Sequence, residues 1–116
     1  MQKLIFIYNA NSGLANTFLD VAHKIFSPKT YNCNLCAITF DTFSENKVWK
    51  DFREQSNIDM EFLHIDEFET KHTNTNYTYP IIIKETQNGF EEFMSTKKIN
   101  TLNSIEALIS IIKTTL

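Results

Sequence analysis

The order of apolar and polar residues predicts an α/β fold that begins with a strand and a helix. Residues 4–8 form a continuous apolar run of strand length, which is typical of a strand covered on both faces. From Leu14 onward the apolar residues recur at helical spacing. We expect this helix to end near Ser27, because Pro28 disfavours the helical conformation of the residue before it.

The middle of the chain continues the alternation of strands and helices. Residues 36–40 form a short apolar run that predicts a second strand. Thr42 and Glu45 have the spacing of a capping box and introduce a second helix, which we expect to end near Asn57. Residues 60–65 then alternate as a third strand does. The second helix is expected to present three apolar side chains: Val48, Trp49 and Phe52.

The last part of the chain predicts a hairpin followed by a helix. Polar residues 66–78 have space for one short helical turn, after which Pro80 opens a run of isoleucines with high β-propensity. An Asn-Gly pair at 88–89 suits a hairpin turn, and residues 90–94 alternate as the returning strand. Residues 103–104 cap a final amphipathic helix. Early parallel crossovers and a late antiparallel hairpin together predict a mixed sheet.

Composition limits the class of protein. The chain has 116 residues, of which 42% are hydrophobic and 22% charged, and we interpret residues 1–116 as a single globular domain. The formal net charge is −3 and Arg53 is the only arginine, which argues against a basic nucleic-acid surface. No apolar run approaches the roughly 20 residues that span a bilayer, so we expect no membrane partner.

The first residues and the cysteine content favour a cytosolic protein. The apolar run 4–8 stops at Asn9, short of the about 7–15 residues of a signal-peptide core. Cys33 and Cys36 are too few to form the disulfide framework of a small secreted protein. The chain has neither glycine-rich phosphate-binding motif, so we expect no cofactor.

The segment around the two cysteines contains the most reactive side chains, and three interpretations of it stay open. Cys33 and Cys36 are separated by two residues, a spacing that allows a reversible disulfide, with His23 and two lysines nearby to favour the thiolate. The same cysteines and His23 supply three metal ligands, where structural zinc needs four, and His64 could reach them only if the end of its predicted strand faces the same edge. Alternatively, both cysteines are buried core residues and nothing more.

The order of elements, and residues 79–83 with the hairpin and helix that follow, resembles the thioredoxin fold across nearly the whole chain. The resemblance implies a three-layer α/β sandwich with a mixed sheet, in the order β-α-β-α-β-(α)-β-β-α. It also implies that the bond between Tyr79 and Pro80 is cis and that Pro80 lines the site.

The cysteines depart from the pattern of that fold. In thioredoxins the cysteine pair follows a strand and opens the next helix, whereas residues 41–45 here contain no cysteine. Cys33 and Cys36 precede the predicted strand 36–40, on the order of 16 Å from the usual site if that segment is extended. We therefore expect the pair at the opposite end of the sheet from Pro80.

Two hypotheses of different classes follow. The leading one is a thiol-dependent role for Cys33 and Cys36, modulated by His23. The alternative is a non-catalytic binding domain that holds an unknown protein or a small polar ligand at the carboxyl edge of the strands. The side chains expected around that edge are Asn9, Thr42, Ser44, Tyr79 and Pro80, together with Asn11 and Tyr77.

Overall fold

A four-stranded sheet forms the centre of the computed structural model, which describes residues 3–9, 33–40, 45–73 and 75–115. The strands are β1 (Lys3–Tyr8), β2 (Asp59–His64), β3 (Ile81–Thr86) and β4 (Gly89–Met94). Their order across the sheet is β2-β1-β3-β4. Strand β1 is parallel to β2 and antiparallel to β3, and β3 and β4 form an antiparallel hairpin. The predicted mixed sheet is confirmed.

Helices cover both faces of this sheet. The helices are α1 (Asn34–Thr39), α2 (Lys47–Gln55), α3 (Ile65–Lys71), α4 (Thr96–Ile99) and α5 (Ile105–Thr115). Leu4, Phe6 and Tyr8 of β1 pack with residues of α1, α2, α4 and α5, and we call this side the α5 face. Ile5 and Ile7 pack with Phe68 of α3 on the other side, the α3 face. Because β1 has apolar partners on both sides, its sequence is an unbroken apolar run.

Several predicted elements are confirmed. Strand β1, the alternating strand β2 and the isoleucine-rich strand β3 lie where the pattern predicts them. Gly89 ends the hairpin turn with a φ of +117°, a conformation that L side chains rarely adopt. Helix α5 begins after Ser104, whose Oγ accepts the Ala107 N–H at 3.2 Å.

The predicted second strand is wrong, because residues 36–40 belong largely to helix α1. A short apolar run does not distinguish a strand from a buried helical turn by its pattern alone. Leu35 and Thr39, which are four residues apart, are both fully buried on one side of the helix. The Thr39 hydroxyl donates to the Leu35 carbonyl at 2.7 Å, which closes that turn.

The start of α2 also differs from the prediction. Its N-cap is Asn46, whose side-chain oxygen accepts the Trp49 N–H at 3.1 Å, so Glu45 precedes the helix and does not belong to a capping box. Trp49 is buried as predicted, but Val48 is 47% exposed. The helix ends at Gln55, slightly before the predicted end at Asn57.

Two further predictions concern the short helices and a segment that lies outside the described residues. The polar stretch after β2 contains α3, and α4 was not predicted. The predicted helix from Leu14 to Ser27 lies outside the described residues. Among the helices that the structure does describe, none combines the length and apolar character needed to cross a bilayer.

Candidate functional site: the Cys33–Cys36 disulfide

Cys33 and Cys36 form a disulfide at the start of α1. Their Cα atoms are 5.2 Å apart. Cys33 is the N-cap of the helix, and its Sγ accepts the backbone N–H of Cys36 at 3.2 Å. The helical turn therefore brings the two cysteines within bonding distance. The extended conformation predicted for residues 36–40 did not imply this contact.

The disulfide lies where β1 ends. The backbone N–H of Asn9, the residue after β1, donates to Cys33 Sγ at 3.4 Å. Tyr8 pairs with His64 at the end of β2, and Ile7 pairs with Ile81 at the start of β3. The ends of β1 and β2 and the start of β3 therefore share one edge of the sheet, and we call it the disulfide edge.

Pro80 directly precedes β3 and so stands at the disulfide edge as well. The expectation that the cysteines lie at the opposite end of the sheet from Pro80 is therefore wrong. It assumed that residues 36–40 extend at about 3.3 Å per residue away from the cysteines, whereas a helix rises only about 1.5 Å per residue. Cys33 is the N-cap of α1 and Cys36 lies in its first turn, and Cys33 Sγ contacts the residue that follows β1.

The two cysteines differ in burial. Cys33 is 2% exposed and belongs to the hydrophobic cluster of the α5 face. Cys36 is only partly buried and packs at the margin of the same cluster. Cys33 is therefore buried, whereas Cys36 keeps part of its residue surface exposed to solvent.

A polar contact attaches helix α1 to a distant part of the chain. The Asn34 side-chain amide donates to the carbonyl oxygens of Ile99 at 2.7 Å and Leu102 at 3.0 Å. These carbonyls lie at the end of α4 and in the segment that leads to α5. The cysteine pair is therefore attached to the part of the chain that packs on the α5 face.

Aromatic rings lie along the disulfide edge. The Tyr8 ring lies 6.1 Å from the Phe40 ring and 6.0 Å from the His64 ring, measured between centroids. Burial of Tyr8 raises the pKa of its phenol well above the ordinary value, which keeps the hydroxyl protonated.

His64 lies at this edge, at the end of β2. Its Nδ1 lies 2.8 Å from Oε1 of Glu67, and the same oxygen accepts the His64 backbone N–H at 2.8 Å. These contacts, the backbone bond first, lower the pKa of Glu67.

Two of the residues expected around Pro80, Tyr77 and Tyr79, pack on the α3 face. The bond between Tyr79 and Pro80 is cis, as the resemblance implied, and Pro80 is buried. Tyr79 packs on the α3 face, and its hydroxyl donates to Glu69 at 2.8 Å. Burial, and then this hydrogen bond, raise the pKa of Tyr79. Its side chain therefore packs on the face opposite to Cys33.

Other candidate residues have no described position. His23, Thr42, Ser44 and Asn11 lie outside the described residues. Within the described ranges, no group of three His, Cys, Asp or Glu side chains is arranged to hold a metal ion. In the disulfide form neither sulfur is the thiolate that binds a metal. A disulfide at this spacing is compatible with thiol–disulfide exchange.

Comparisons with protein-family models, with curated proteins and with solved structures give no match to this chain.

Proposed function

We propose that this protein is a thiol–disulfide exchange protein whose reversible couple is Cys33 and Cys36. The observation that carries the proposal is the disulfide at Cys-x-x-Cys spacing, with Cys36 only partly buried. A disulfide needs one accessible sulfur to react with an external thiol. A wholly buried pair would serve only to hold the fold together.

The proposed domain is thioredoxin-like. Support comes from the strand order β2-β1-β3-β4, from the parallel pairing of β1 with β2, and from the antiparallel hairpin of β3 and β4. The cis bond before Pro80 and the presence of the cysteine pair at the same edge of the sheet add to this support. The pair also stands at the start of α1, with Cys33 as the N-cap, and in thioredoxins the cysteine pair likewise opens a helix.

The cytosolic location that the sequence favours is part of the proposal. In a reducing compartment, disulfides of mesophilic proteins are usually transient and serve catalysis or redox sensing. The exchange partner would be a thiol or a disulfide of a small molecule or of another protein. Each turn of the couple transfers two electrons, and two thiol protons accompany the disulfide-to-dithiol conversion.

The proposal is tested by cycling the purified protein between glutathione buffers. Reduced glutathione should convert the disulfide to two free thiols, and oxidised glutathione should restore it. Alkylation before intact-mass measurement should add two labels to the reduced protein and none to the oxidised protein. Helical and strand content, measured by far-ultraviolet circular dichroism, should be the same in both forms.

Two controls make the result specific. A Cys36→Ser variant lacks the couple, so it should show no intramolecular disulfide in either buffer. Elemental analysis of the reduced wild-type protein should find no stoichiometric zinc or iron. A disulfide that stays oxidised in the folded protein at buffer potentials below about −300 mV, and is reduced only on unfolding, would contradict the proposed function, because the bond would then be structural. Stoichiometric metal on the reduced cysteines would contradict it as well.

A further inference from the structure

We infer that the groove between α2 and α5 is a contact surface for a second copy of this chain, related to the first by a two-fold axis along the groove. The groove has a volume of about 500 Å³. One wall is α2 with the residues that follow it, and the other wall is α5. The inference is independent of the proposed function, because neither cysteine lines this groove.

The apolar surface of the groove comes from both walls. Val48 on α2 is 47% exposed, and within the described part of the chain only Phe40 is a comparably exposed large apolar side chain. Phe52 follows Val48 by four residues, so it lies on the same side of α2, and it is partly buried. Ile109 lines the wall formed by α5. Removing this apolar surface from water would favour a docked partner.

Each wall of the groove also has a charge, and the two charges are opposite. Asp51 lies on the α2 wall and Lys113 on the α5 wall. The Lys113 Nζ is 5.8 Å from the centroid of the Phe52 ring, so the ammonium group lies beside the apolar surface. Within the described ranges the Asp51 carboxylate forms no ion pair. Both charges are therefore available to a partner.

Opposite charges on opposite walls make the groove complementary to itself. In a two-fold dimer the same patch meets its own copy, so each contact between two different residues occurs twice. A half-turn about an axis along the groove lays the α2 wall of one copy on the α5 wall of the other. Asp51 then faces the partner's Lys113, Lys113 faces the partner's Asp51, and the two apolar surfaces meet. The charges therefore favour a second copy of this chain as the occupant.

The size of the patch determines the strength of the dimer. Helix α2 has nine residues and α5 has eleven, so the walls are about 14 and 17 Å long. Two helices side by side, each about 10 Å wide, present roughly 300 Å². This is less than the roughly 800 Å² per partner of a standard stable interface. We expect a dimer that dissociates on dilution, with a Kd between about 1 μM and 1 mM.

The inference is tested by analytical ultracentrifugation of the oxidised full-length protein, in which no free thiol can link two chains. As the concentration rises to about 1 mM, the mean mass should increase from 13.5 kDa toward twice that value. Asp51→Lys and Lys113→Asp should each weaken the dimer at least about tenfold, because each places like charges opposite one another at both contacts. An equimolar mixture of the two variants should dimerise again, because opposite charges then meet at both contacts.

The matched control is Glu54→Lys, which makes the same change of charge at an exposed residue of α2 that does not line the groove. It should leave the dimer unchanged, and circular dichroism should show that every variant is folded. A wild-type protein that stays monomeric at about 1 mM would overturn the inference and favour a different occupant of the groove. Dimerisation that survives both single reversals, or a mixture that stays monomeric, would overturn it as well. None of these results bears on the couple of Cys33 and Cys36.

Discussion

Charged side chains connect the outer strand β2 to its neighbours. Glu61 on β2 lies 2.7 Å from the Lys3 Nζ on β1 and accepts from the Lys71 Nζ, at the end of α3, at 2.8 Å. The Glu61 side chain is 26% exposed, so these contacts are only partly screened by water. The hydrogen bonds from Lys3 and then Lys71 lower the pKa of Glu61.

We expect Glu61→Gln to lower the free energy of unfolding by about 0.5–1 kcal/mol at neutral pH, the range of a partly exposed pair. A carboxyl group whose pKa is lowered by folding stabilises the protein above its ordinary pKa of 4.5. That contribution is lost as the pH falls through the lowered value. The difference between the variant and the wild-type protein should therefore shrink in acid, as measured by urea unfolding at neutral and acidic pH.

Glu91 provides the matched control, because it is an exposed glutamate on β4. Glu91→Gln should change the free energy of unfolding by less than about 0.5 kcal/mol at both pH values. If Glu61→Gln destabilised the protein equally in acid and at neutral pH, its effect would not come from the ionised carboxylate.

Helix α1 positions the cysteine pair, and it is the element that the sequence pattern described least well. Its polar anchor is Asn34, which donates to carbonyl oxygens of Ile99 and Leu102, more than sixty positions along the chain. The local pattern of residues 36–40 contains no information about a contact with residues so far away in the sequence. The caps formed by Ser104 and Asn46, by contrast, join residues only three positions apart. The sequence pattern predicted the cap at Ser104 correctly.

We expect Asn34→Asp to destabilise the protein by about 2 kcal/mol. A carboxylate cannot donate to the two carbonyl oxygens, and its charge would face their negative ends. The substitution changes a single side-chain group and hardly changes volume, so packing should be preserved. Chemical denaturation of the oxidised protein measures the effect.

The same substitution at exposed Asn57, in the turn after α2, serves as the control. Asn57→Asp should change the free energy of unfolding by less than about 0.5 kcal/mol. Equal effects at the two positions would indicate that the Asn34 amide contacts contribute nothing specific to the attachment of α1.

For the molecule as a whole, the sequence predicted the strands better than the site. Continuous or alternating apolar runs are sufficient to identify β1, β2, β3 and β4, because burial on one or both faces leaves a direct record in the sequence. The position of Cys33 relative to Pro80 depends on whether one five-residue segment is helical or extended. That choice is made by contacts with α4 and β1, which a local pattern does not contain.

The proposed couple requires that the molecule stay folded when the disulfide is broken. Cys33 and Cys36 are only three positions apart, so the loop that the bond closes is short. For a loop of this length the chain-entropy estimate of disulfide stabilisation is about 2 kcal/mol. This is a fraction of the 5–15 kcal/mol that is typical of a folded domain, and the Asn34 contacts remain after reduction.

The most direct test is a redox equilibrium of the wild-type protein in thiol–disulfide buffers, followed by alkylation and mass measurement. We expect a single two-electron transition at a potential between about −270 and −120 mV, where exchange proteins operate. Circular dichroism should be unchanged across the transition. A disulfide that stays oxidised to below about −300 mV, as structural disulfides do, or a transition that coincides with unfolding, would contradict a reversible couple at Cys33 and Cys36.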